Sequence, residues 1–183
     1  MYDIVCDVAV IGGGPAGLAA AASAKEEGAQ RVVVIERDSA LGGILQQCIH
    51  PGFGLTRFNE ELTGPEYYGR FTAKTDELGV EYLMDTMVLE IDAGNKRVTC
   101  VNAKHGVTCV RAGSIVLAMG CRERTRANIV IPGTRPAGLY TAGVDHEKIA
   151  APPRGFRVDP VARNAGCVGY DRQSFTVQCV EQA

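Results

Sequence analysis

The chain has 183 residues, 22% of them charged, and a formal net charge of −2. That length holds one domain, or one and a part, able to bury about 70% of its unfolded surface. Interspersed acids and bases argue against nucleic acid or an anionic membrane as partner, and no apolar stretch reaches the roughly 20 residues of a bilayer span. No signal peptide fits, because the apolar run near the amino terminus breaks at Gly12 to Pro15. Seven cysteines at scattered spacing suggest reduced thiols and a cytoplasmic setting. No metal site is expected.

Val5 to Ile11 is a short apolar run rich in β-branched residues, which reads as a buried parallel strand. Gly12, Gly14 and Gly17 follow it in a G-x-G-x-x-G pattern. The first glycine permits a tight turn, the second lets the main chain approach a pyrophosphate, and the third allows close helix–strand packing. Pro15 suits the first helical position. From Ala16 the alanine-rich run to Glu27 predicts a helix that stops at Gly28. The N-terminal amides of this helix would face a diphosphate. Arg31 to Ile35 predicts the next strand. Glu36 closes it nineteen residues beyond Gly17, where a carboxylate would accept hydrogen bonds from ribose hydroxyls. The whole reads as a dinucleotide-binding βαβ unit.

Further along, Thr63-Gly64-Pro65-Glu66 predicts a helix start and Gly79 a stop, giving a helix over Pro65 to Leu78 and a strand over Val80 to Leu83. Residues 87–111 change character. Val88 to Asp92, Arg97 to Val101 and Val107 to Arg111 are short β-type runs parted by turn residues, a pattern that predicts an antiparallel β-meander. Ser114 to Ala118 returns to a fully apolar strand ending at Gly120. The fold class is therefore α/β, a Rossmann-like parallel sheet with an inserted meander.

Gly12 to Gly17, Glu36 and the Gly42-Gly43 doublet resemble the amino-terminal FAD domain of the pyridine nucleotide-disulfide oxidoreductase superfamily. The resemblance runs on through Gly42 to Gly54, Glu61 to Tyr67, Leu117 to Arg124 and Ile131 to Gly143. These stretches are similar to a bacterial branch of FAD-dependent oxidoreductases that accompanies glycerol-3-phosphate dehydrogenase-like subunits. The resemblance implies FAD as cofactor, held by Gly12, Gly14, Pro15, Ala16, Gly17, Glu36, Arg37, Gly42, Gly43, Val88 and Gly120. It implies two-electron transfer from a small-molecule donor through flavin to NAD(P) or a partner redox subunit. It also implies that the meander covers one face of the domain. Where the superfamily has Ala-Thr-Gly, this chain has Ala118-Met119-Gly120, which loses a hydroxyl and keeps the glycine.

Disulfide-reducing members carry two cysteines four residues apart near Cys48; here the nearest in sequence are Cys6 and Cys100. Three readings of Cys48 stay open: a single redox thiol beside the flavin, a residue that shapes the site, or a small buried apolar side chain. His50 lies between Gly43 and Gly54, in the segment expected to pass near the flavin ring, and is a candidate proton carrier. Arg122, Arg124 and Arg126 read as a solvated loop, with an anion site as the alternative.

The FAD domain is expected over residues 1–143 and an irregular tail over 144–183. In the tail, Gly166 and Gly169 form no G-x-G-x-x-G and no apolar strand precedes them, so no complete NAD(P)-binding domain is expected. NAD(P) would then be met only in a longer form or through a partner. The tail is either a natural variant or an out-of-frame translation, and the abrupt loss of pattern favours the second. The rival to an oxidoreductase is a non-catalytic dinucleotide-binding fragment or subunit.

Overall fold

In the computed structural model of the chain, residues 2–121 and Val130 are described, and the fold is that of the unit Met1–Gly120. The expected domain end at residue 143, the arginines after Gly120 and the whole tail lie outside the described residues. Elements follow in chain order. Strand β1 (Tyr2–Ile11) leads into helix α1 (Pro15–Glu26) and strand β2 (Val32–Ile35). A 3₁₀ turn (Gly43–Gln46) precedes a small excursion of β3 (Pro51–Phe53), α2 (Leu55–Phe58) and β4 (Leu62–Thr63). Then come α3 (Gly64–Glu77), β5 (Glu81–Leu83), β6 (Thr86–Asp92), β7 (Arg97–Asn102) and β8 (Gly106–Leu117).

One sheet in the order β5-β2-β1-β8-β7-β6 joins both halves of the pattern. β1 pairs in parallel with β2 and β8, and β2 with β5. β6, β7 and the first half of β8 are antiparallel. The meander therefore grows from the parallel sheet through β8, a single twelve-residue strand where the sequence pattern suggested two. The reason lies in side-chain alternation. Val110 and Ala112 face the same cluster as Ile115, whereas Val116 faces the opposite one. The period-2 pattern thus slips near Gly113 without breaking the strand. β1 slips at the matching place, where the Asp7 and Val8 N–H groups both donate to the Arg31 carbonyl at 2.9 and 3.3 Å.

Two clusters fill the sheet's faces. Val98 and Cys100 of β7, with Val88 of β6, pack onto Ala9, Ile11, Val33 and Ile35, so the meander covers one face as the resemblance implies. Ala21 and Ala24 of α1 pack onto Val10, Val32 and Val34 on the other. β2 is buried along its whole length, which explains its unbroken Val-Val-Val-Ile run. No helix among the described residues is long and apolar enough to cross a membrane.

α3 opens with a reciprocal cap: the Thr63 N–H donates to Glu66 Oε2 at 2.8 Å, and the Glu66 N–H donates to Thr63 Oγ1 at 3.4 Å. The Thr63 N–H and the Thr63 hydroxyl, which donates to Glu66 Oε2 at 2.7 Å, hold the Glu66 carboxyl below its ordinary range. Replacing Thr63 by Ala should cost about 1 kcal/mol and lower the thermal midpoint by roughly 2–4 °C. Glu66→Gln should lower the midpoint at pH 7. Because the folded-state value is depressed, its stabilisation is present above the unfolded carboxyl's range and fades as pH falls through the folded one. Melting curves of both variants from pH 7 into the acid range check this; a Glu66→Gln deficit that grows with acid would contradict it.

Candidate functional site: a glycine cradle beside an apolar cleft

The loop between β1 and α1 is closed by main-chain contacts on two sides. Gly12 has φ +105°, and a β-carbon there would overlap the Ala118 carbonyl oxygen. At Gly17 a β-carbon would overlap the Gly12 carbonyl oxygen and come within 3.3 Å of Val10. Between them, a β-carbon on Gly14 would meet nothing within 4 Å. The loop is thus packed shut where protein backs it and open where α1 begins. No side chain caps α1 and no acidic residue lies in its first turn. Pro15 at the start brings no N–H, so the main-chain donors of Ala16 and Gly17 point out of the helix start with its positive dipole end.

Glu36 stands across this opening. The residue is 6% exposed, and its carboxylate accepts the Gly13 N–H at 2.6 Å on one oxygen and the Asp38 N–H at 2.9 Å on the other. Its main chain is pinned as well, by bonds from the Glu36 N–H to Leu83 O and from the Thr86 N–H to Glu36 O, both 2.9 Å. A carboxylate has about four lone-pair positions, so each oxygen can accept one further hydroxyl. Gly42 and Gly43 lie against the same loop: the Gly42 N–H donates to Gly13 O at 2.9 Å, and a β-carbon on Gly43 would stand 3.4 Å from the Gly14 Cα. Gly42 is also covered by the Tyr68 ring of α3, within 2.7 Å of a notional β-carbon. Gly120, with φ +73°, ends the β8 segment whose Ala118 backs Gly12. Arg37 is exposed and lies 3.8 Å from Asp38. Val88 turns its side chain into the core. The cradle therefore gathers Gly12 to Gly17, Glu36, Gly42 and Gly43, while Arg37 and Val88 stand at its margin.

A family model described as pyridine nucleotide-disulphide oxidoreductase matches residues 6–151. The chain belongs to this family. It is 32% identical over 148 residues to an opine oxidase subunit of Agrobacterium tumefaciens (strain Ach5), across 75% of this chain and 27% of that protein. Over 124 residues it is 33% identical to a thioredoxin reductase of Peptoclostridium acidaminophilum, across 66% of this chain and 36% of the relative. Among solved structures it is similar to L-proline dehydrogenase from P. horikoshii, with TM-score 0.55 and 29% identity over 65% of this chain and 23% of that one. The chain thus spans about a third or less of these relatives. The family's domain is one for FAD, and the cradle fits it: an uncapped helix start, room at Gly14 for a diphosphate, and a carboxylate with lone pairs left for hydroxyls.

Beyond Pro15 a cleft of about 480 Å³ opens, lined by Leu45, Gly52, Phe53, Gly54, Arg57 and Tyr67 among others. Sequence reasoning missed this wall. Its signal was the Gly52-Phe53-Gly54 triplet, whose two glycines take positive φ around a wall residue. His50 is half-buried beside it, its ring 5.4 Å from that of Phe53 and its Nδ1 donating to Pro51 O at 3.1 Å.

Cys48 is 3% exposed, and its thiol donates to Ile44 O at 3.4 Å. Its carbonyl accepts the Gly64 N–H at 2.8 Å, and a β-carbon on Gly64 would come within 2.8 Å of Cys48 Cβ. The thiol is thus buried against the start of α3. A nucleophilic thiol needs access and an electropositive setting. Burial pushes the Cys6 and Cys100 thiols up to about 11. In the folded chain at pH 8, iodoacetamide should modify the exposed Cys121 well before Cys6, Cys48, Cys100 or Cys109. Peptide mass mapping over time checks the order, and Cys48 reacting as fast as Cys121 would favour the redox-thiol reading of Cys48.

Proposed function

We propose that the chain is the FAD-binding part of a flavin-dependent oxidoreductase, taking two electrons from a small-molecule donor and passing them to NAD(P) or a partner protein. One observation carries this reading. The glycine loop is closed by its own protein at Gly12 and Gly17 and open at Gly14, in front of a helix start that no side chain caps. In this reading Gly12, Gly14, Pro15, Ala16 and Gly17 cradle the diphosphate, and Glu36 accepts the ribose hydroxyls. Gly42, Gly43 and Gly120 give the cofactor close main-chain approach, while Arg37 and the main chain of Val88 flank its adenine end. FAD supplies the ring that accepts and releases the electrons. Protein residues bind it, orient it and shield it.

Cys48 is assigned to packing the 3₁₀ segment on α3. His50 neighbours the cleft-lining Phe53 and is the candidate for moving a proton, its Nδ1 bonded to Pro51 O. For the donor, the sequence resemblance favours glycerol 3-phosphate, whereas the names of the relatives favour an opine or L-proline. That the opine oxidase relative is named as one subunit of its enzyme supports a partner as electron acceptor. Free thiols at Cys6, Cys100, Cys109 and Cys121 suit a reducing, cytoplasmic compartment.

The purified chain mixed with FAD and passed through a desalting column should stay yellow and bleach on addition of dithionite. A colourless chain that FAD does not stabilise against heat would favour the non-catalytic alternative. Gly14→Ala separates fold from ligand. Its β-carbon meets no protein atom, and because Ala is a poorer N-cap than Gly the cofactor-free melting point should fall by roughly 2–4 °C at most. FAD affinity should fall roughly ten- to a hundredfold, from about 1–3 kcal/mol of steric conflict with the diphosphate. Unchanged affinity by fluorescence titration would remove the diphosphate from this place.

A further inference from the structure

The described residues contain six arginines. Arg31, Arg37, Arg70, Arg97 and Arg111 each lie within ion-pair distance of a carboxylate, on Glu81, Asp38, Glu60, Asp92 and Asp3 respectively. Arg57 has no carboxylate partner among the described residues. It is the one arginine that lines the 480 Å³ cleft, whose wall also includes Pro15 at the start of α1 and the rings of Phe53 and Tyr67.

The segment that carries Arg57 is braced. Helix α2 is a single turn between two residues in left-handed conformation, Gly54 at φ +88° and Asn59 at φ +54°. The Arg57 and Phe58 N–H groups both donate to Gly54 O, at 3.1 and 2.7 Å. Phe58, the next residue, packs edge-on against Tyr67 and Phe71 of α3, with centroids 5.7 and 5.8 Å apart. Arg70 lies over the Phe58 ring at 5.8 Å and is itself tied to Glu60 at 2.6 Å. An aromatic strut thus fixes the backbone under an exposed guanidinium with no carboxylate partner among the described residues, beside a cleft of a size that suits small molecules. The planar guanidinium presents a fork of donors that matches a carboxylate or a phosphate.

We propose that Arg57 binds the anionic group of the electron donor, a small oxyanion that is either a carboxylate or a phosphate, and so sets which donors the cleft accepts. The inference rests on the reading that the chain holds FAD. It adds the residue that would read the negative charge shared by the donors named above.

The full chain, loaded with FAD, is titrated calorimetrically with L-proline, glycerol 3-phosphate and inorganic phosphate, and with L-prolinamide and glycerol as partners that lack the anion. One of the two anionic donors should bind at least tenfold more tightly than its analogue, which identifies carboxylate or phosphate as the group. Arg57→Ala should weaken that binding roughly ten- to a hundredfold while leaving the FAD dissociation constant and the analogue's affinity where they were. Arg57→Lys, which keeps the charge and loses the fork, should fall between. Equal binding of the anion to wild type and Arg57→Ala overturns the proposal. So does binding of inorganic phosphate alone, which would mark a general anion patch, or of none of the anions. A fall in FAD affinity in Arg57→Ala also overturns it, because the guanidinium would then serve the cofactor's own diphosphate. A wild-type chain that fails to hold FAD overturns the function proposed above and this inference with it, whereas a yellow chain indifferent to Arg57 overturns this inference alone.

Discussion

Main chain presses on main chain where Gly12 meets Ala118 and where Gly17 meets Gly12, and the geometry of the site follows from those contacts. Because no β-carbon fits, α1 starts hard against the end of β1 and the carbonyl end of β8. That approach turns the Gly13 N–H toward β2, where Glu36 receives it. With Glu36 anchored there, its carboxylate lies against the loop that leads into α1. An uncapped helix start and an anionic side chain thereby flank one glycine loop. The alanine-rich composition of α1 serves the same closeness, since Ala21 and Ala24 allow the helix axis to lie near Val10, Val32 and Val34.

The excursion between β2 and α3 supplies what the βαβ unit lacks, a wall. It is held at both of its ends rather than by a core of its own. Gly42 and Gly43 fasten it to the glycine loop, and Cys48 and Gly64 fasten it to α3. The aromatic chain of Phe53, Tyr67, Phe58 and Phe71 then spans the wall to the helix. This division of labour matches the way function sits on many α/β folds, with a rigid layered scaffold and a connecting segment that shapes the ligand side.

The scaffold was largely legible in the sequence, and for identifiable reasons. β1, α1 and β2 announce themselves through an apolar run, spaced glycines and a run of alanines, and each lies within a few residues of its expected span. Thr63 and Glu66 announce α3 through their spacing alone. Reading failed where the signal is not periodic. β8 looked like two strands because its alternation slips near Gly113 while its hydrogen bonding continues. The 3₁₀ turn, β3, α2 and β4 are too short for any period to show, and each is fixed by tertiary contacts. Arg57 could not be distinguished from the other arginines until their carboxylate partners were seen. Cys48 and His50 were legible as positions but not as environments, since burial of a thiol and the neighbours of a ring are set by segments distant in sequence.

The pairing of β1 with β8 has a further consequence, in the order of events during synthesis. Tyr2 is hydrogen-bonded in register with Thr108, and Ile11 with Leu117, so the two central strands of the sheet are separated by almost the whole domain. The backing of Gly12 also depends on Ala118, whose N–H donates to Ile11 O at 2.8 Å. A nascent chain therefore carries its glycine loop long before it can close it. The loop takes its final shape only after β8 has emerged and inserted beside β1, a long-range closure of the kind that slows folding. Closure of the glycine loop thus waits on a strand that is made well after the loop itself.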